Sequence, residues 1–184
     1  MHSAICDPLE TAIGGARYML LFIVIATRHT DEYILKCKSE AVNIFIEWKP
    51  VTWKESDKQV KQFRTDGGGE YTSKKFTECW QSEGITQDMT TPYSPESNAI
   101  IEQANRTILE CVSCLLDDAG PLKKYWKFAV CVAVNLKHST TTQSVVGKTP
   151  QNTWHGRKTI LHHLSAYRCK SVDHVPTEKT KKLD

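Results

Sequence analysis

The chain has 184 residues, 40% hydrophobic and 24% charged, with seven cysteines and a formal net charge of +3. This is the composition of one globular domain large enough for a real core, and it excludes a disordered or low-complexity chain. The longest apolar run, Tyr18 to Ala26, spans nine residues. That is half of a membrane span, and "MHSAICDPLE" carries no secretory signal pattern. The cysteines have no framework spacing. Cys111 and Cys114 form a lone C-x-x-C inside a helical pattern and read as core thiols, not zinc ligands. The expectation is an intracellular, reduced protein with no membrane segment.

In chain order, a short strand at residues 2–6 ends at Pro8, and Gly14-Gly15 makes a turn. "ARYMLLFIVIAT" and "DEYILKCK" read as two antiparallel strands joined at "RHT". "SEAVNIFIEWK" reads as a helix capped by Ser39 and ended by Pro50. "QVKQFRT" alternates as a strand and delivers Asp66 at its end. Three costly glycines follow, Gly67 to Gly69, with a helix N-cap near Thr72 or Ser73. "SKKFTECWQSEG" reads as a helix closing at Gly84, and "ITQDMT" as a short strand. Asn98 caps a long helix to about Asp118, with Ile101, Ile108, Val112, Leu115 and Leu116 on one stripe. A last helix opens at Pro121. Such alternation predicts an α/β domain, a mixed sheet with flanking helices.

The charge is uneven. Residues 157–182 carry seven Lys/Arg against two acids, while residues 1–156 sit at −1. Two units are expected, a core at 1–156 and a basic extension at 157–184. A basic tail suits nucleic-acid contact and equally a solvated end. Asp66 and Glu102 have 35 residues between them. One acid at a strand end and one in the first turns of a helix could meet across a cleft and hold Mg²⁺ or Mn²⁺, hard cations that take oxygen ligands. Taken alone, Glu102 equally suits an i,i+4 pair with Arg106.

"GGARYMLLFI", "RTDGGGEYTSKKF", "TPYSPESNAIIEQANRTILE" and "KTPQNTWHGRK" closely resemble, in order and spacing, the integrase core of copia-type retrotransposon polyproteins. The resemblance runs through nearly the whole chain. It implies a ribonuclease-H-like fold and DNA strand transfer by three carboxylates holding two Mg²⁺ or Mn²⁺ ions. It puts Asp66 in the second carboxylate position and Glu102 in the third, as catalytic and metal-binding residues. It makes DNA the partner, homo-oligomers the assembly and the nucleus the compartment. The glycines beside Asp66 then keep side chains clear of an approaching DNA backbone.

The chain departs from that pattern where it matters most. "HSAICDPL" stands where the family reads "HSDICGPL", so Ala4 replaces the first acid and Asp7 replaces a glycine. Asp7 lies three residues further along, an odd step that starts on the opposite strand face, and Pro8 constrains it. A metal ligand at position 4 would face a solvated cleft. Val24 and Ile25 replace two acids, Gln103 and Ala104 replace two basic residues, and Gly67 stands where Asn is usual. Asn105 and Arg106 are retained and, with Lys170 and Lys179 of the tail, are the expected nucleic-acid contacts. The resemblance therefore predicts an integrase-derived copy that is catalytically inactive. The alternatives are an active enzyme using Asp7 and a host-adopted, non-catalytic binding domain. Met1 just ahead of the first strand is what a truncated reading frame would give.

Overall fold

The structure, a computed structural model, describes residues 1–65, 67–89, 99–118, 123–145, 147–162 and 164–165. Five strands form one mixed sheet in the order β3-β2-β1-β4-β5. They are β1 (His2–Ile5), β2 (Tyr18–Ile23), β3 (Thr30–Leu35), β4 (Gln62–Thr65) and β5 (Thr86–Met89). β1 and β3 flank β2 in antiparallel register, whereas β4 pairs parallel with β1 and β5 parallel with β4. The helices are α1 (Ala41–Ser56), α2 (Lys74–Ser82), α3 (Ala99–Asp118), α4 (Trp126–Ser139) and α5 (Pro150–His155). This is the ribonuclease-H-like mixed sheet with flanking helices that the sequence predicts.

The long apolar run reads continuously because β2 is covered on both faces. Met19, Leu21 and Ile23 join Ala4 and the stripe Ile101, Ile108 and Val112 of α3, with α4 behind them. Leu20 and Phe22 point the other way, into an aromatic cluster with Phe45 and Trp48 of α1, Phe63 of β4, and Phe76 and Trp80 of α2. Period-2 alternation on one central strand thus builds two cores.

Two expectations about helices are corrected. Pro50 does not end the first helix. It lies inside α1, which runs to Ser56 and closes on Asp57 at φ +53°. Pro50 is exposed, so its ring faces solvent, and the extra turn buries Thr52 and brings Trp53 against the aromatic core. Packing outweighs the missing backbone donor. Ser39 lies in a 3-10 turn, Lys38–Glu40, and Glu40 takes the cap position. α5 was not foreseen. Thr149 accepts a hydrogen bond from the Asn152 N–H, Pro150 sits at the first position, and Gly156 closes the helix at φ +68°. The last long helix begins at Trp126 after a 3-10 turn at Lys123–Tyr125. Pro121 and the cap residue Asn98 lie outside the described residues.

Candidate active site

Parallel pairing of β1 with β4 sets His2 opposite Arg64, so both strands run toward the same edge of the sheet. Asp66 follows β4 directly in sequence and lies outside the described residues. Beyond it the "GGGEY" stretch is anchored by Tyr71. This ring is fully buried between Phe63 and Phe76, and its hydroxyl lies 2.6 Å from Ser3 Oγ of β1. The Tyr71 N–H donates to the Gly68 carbonyl at 2.9 Å, making a tight turn. Gly67 has φ +74°, a conformation that favours Gly and tolerates Asn. A Cβ at Gly67 or Gly69 would meet nothing within 4 Å. The demand at 67 is therefore backbone conformation.

Position 4 differs from the expectation of a solvated cleft. The Ala4 methyl is 6% exposed and packs in the apolar cluster with Ile101 and Ala104, the residues on either side of Glu102 and Gln103 in α3. Cys6 shares that face, and burial pushes its thiol up. Asp7 is exposed and lies past the end of β1. Glu102 is exposed in the first turn of α3, and no ion pair among the described residues joins it to Arg106. Arg106 is exposed. Asn105 is half-buried, and its Oδ1 has no partner among the described residues. Lys170 and Lys179 lie outside the described residues. Of the thiols, Cys111 packs against the core, but Cys114 is exposed and is not the core thiol expected.

A pair of hard cations needs several oxygen donors converging on one place. Among the described residues no three His, Cys, Asp or Glu side chains converge so as to hold a metal. Position 4 presents a methyl group in an apolar setting. Asp66 lies outside the described residues, so of the three expected carboxylate positions the described residues supply Glu102 alone.

Sequence reading passed over the connection between β2 and β3. His29 stacks on His138 of α4 at 4.5 Å and on Trp154 of α5 at 4.4 Å. Its Nε2 lies 3.2 Å from Asp31 Oδ1, and Trp48 donates to the other Asp31 oxygen at 2.8 Å. His138 Nε2 accepts from the Thr30 N–H at 3.0 Å, so it is unprotonated there. Burial above all, helped by nearby His29 and Lys137, draws His138 down to about 4. "RHTD" offers no periodic signal, since its partners come from more than 100 residues away.

No protein-family model matches the chain. Relatives with known names do. Over its whole length the chain is 34% identical to the retrovirus-related Pol polyprotein from transposon TNT 1-94 of Nicotiana tabacum, of which it covers 14%. Over 91% of its length it is 29% identical to the retrovirus-related Pol polyprotein from transposon RE1 of Arabidopsis thaliana, covering 11% of it. Over 86% of its length it is 28% identical to that from transposon RE2 of the same plant, again covering 11%. The chain is homologous, throughout its length, to one region of the retrovirus-related Pol polyproteins of plant transposons.

Proposed function

We propose that this region is the integrase core of a copia-type polyprotein, and that this copy keeps the fold and has lost strand transfer. Asp66 and Glu102 are the remaining two acids of the site. The supporting observation is Ala4, whose methyl is packed against α3 beside Glu102, where a third carboxylate would be required. Removing the acid that bridges both metals disables the whole site. DNA contact then falls to Asn105, Arg106 and the basic tail with Lys170 and Lys179, and work on DNA makes the nucleus its compartment. Self-association belongs to the same reading. No described helix is long and apolar enough to cross a membrane.

The test is Mn²⁺-dependent joining of a short duplex into plasmid DNA by the purified chain. The expected yield equals that of Glu102→Gln. Joining by the unmodified chain that Asp7→Asn abolishes would overturn the reading, because the first acid would then have moved three residues. Calorimetry at neutral pH should find no Mg²⁺ site tighter than about 1 mM.

A further inference from the structure

A groove of about 620 Å³ runs between α3 and α4 beside the turn that joins β2 to β3. Ile23, Ile100, Ile108 and Leu136 give it an apolar wall, and Arg28, Lys137 and Thr142 a polar end. Arg28 holds a left-handed backbone, φ +60°, and its N–H closes the turn on the Val24 carbonyl at 2.8 Å. A side chain at such φ is uncommon and is held by its surroundings.

The polar end carries more positive charge than the described residues neutralise. Arg28 Nε and Thr142 Oγ1 are both shut off from solvent without a partner among the described residues. Lys137 Nζ donates to Thr30 Oγ1 at 2.7 Å and to the Arg28 carbonyl at 3.4 Å, and no carboxylate among the described residues pairs with it. No acid lines the groove among the described residues, and the ion pairs there include neither Arg28 nor Lys137. The nearby acids are engaged elsewhere. Asp31 is held by His29 and Trp48, and Glu32 is half-buried and hydrogen-bonded to Cys131 of α4. Burial, and then the Arg28 charge, lower Lys137 to about 8. The other titratable groups around it are His29, His138 and His155, with Cys111 facing from α3. The first turns of α3, at Ile100 and Gln103, add the positive end of a 20-residue helix. Two partly buried cations and an orphan hydroxyl in one concave site call for an anion.

We propose that this groove binds a nucleotide, its phosphate on Arg28, Lys137 and Thr142 and its base along the apolar wall. The groove is of ligand size and far larger than a bare phosphate needs. The source is either a free mononucleotide or the phosphorylated end of a DNA strand. The inference is independent of the integrase reading, since it uses no metal and neither Asp66 nor Glu102.

The experiment is calorimetric titration of the full chain in EDTA with dAMP, deoxyadenosine, inorganic phosphate, and an oligonucleotide bearing either a 5′-phosphate or a 5′-hydroxyl. dAMP should bind at least tenfold more tightly than deoxyadenosine and more tightly than phosphate. Its affinity should fall above pH 8, as Lys137 loses its proton. Arg28→Gln should weaken dAMP at least tenfold, and Arg28→Lys should restore part of the loss. Arg28 suits the test because its side chain has no hydrogen-bond partner within the described fold. A preference for the 5′-phosphorylated strand over its hydroxyl form identifies a DNA end as the source, and equal binding of the two identifies the free nucleotide. Absence of dAMP binding, equal binding of deoxyadenosine, or unchanged binding by a folded Arg28→Gln would overturn the proposal.

Discussion

On the proposed reading the Ala4 methyl separates two outcomes for the site, and its burial makes a carboxylate at that position costly. Ala4→Asp puts a carboxylate among Met19, Leu21, Ile101 and Ala104. An unpaired charge there should cost about 2–4 kcal/mol, seen as a lower urea midpoint. On the proposed reading Mn²⁺ returns part of that stability, and the Ala4→Asp/Glu102→Gln double variant gains none. Equal Mn²⁺ effects on both variants would remove Glu102 from the site. Tyr71→Phe tests the anchor of the glycine stretch: it strips Ser3 Oγ of its bond and should cost about 1–2 kcal/mol.

Titration also belongs at this scale. His2 and His138 are each drawn to about 4, chiefly by burial, against 6.5 in the unfolded chain. The unfolded chain therefore binds more protons between pH 4 and 6.5, and stability rises with pH across that window. Glu32, pushed by burial to about 7 from 4.5, does the opposite between pH 4.5 and 7, because the folded chain keeps its proton. Two histidines against one glutamate leave a net rise. Glu32→Gln should steepen that rise when urea unfolding is compared at pH 5 and pH 6.5. An unchanged slope would mean that Glu32 is ionised normally in the fold.

Among the elements, α1 shows propensity overruled by packing. Pro50 sits in the helix interior, where it removes a backbone bond and presses on the preceding turn. The helix survives because Phe45, Trp48 and Thr52 are buried on the opposite side. Pro50→Ala should therefore stabilise the protein by roughly 1–2 kcal/mol, the gain in the helix being partly offset by a freer unfolded chain. Thermal denaturation reads this directly, and a lower midpoint would show that the proline shapes the helix. The strands and α3 were legible because their periodicity is strong. α5 was missed because six residues give too little periodicity.

On the scale of the whole molecule, the basic tail and the folded core should separate in DNA binding. The full chain is expected to bind duplex DNA weakly and without sequence preference, with log affinity falling by about 0.9 per phosphate contact per log unit of salt. Truncation after Gly156 keeps α5 and its Trp154 stack on His29, so the core should still fold while duplex binding is lost. Undiminished binding by the truncated core would move the contact to α3.

The sequence by itself determined the strands, most of each long helix and the α/β class. These depend on local periodicity, turn chemistry and motifs read in order. Only the tertiary structure decided that Ala4 is sealed under α3, that Tyr71 ties the glycine stretch to β1, and that Arg28 and Lys137 share one groove. Each of those depends on residues far apart in the chain meeting across the sheet. No local pattern encodes such a meeting, because it is set by which faces of the sheet and helices must leave water together.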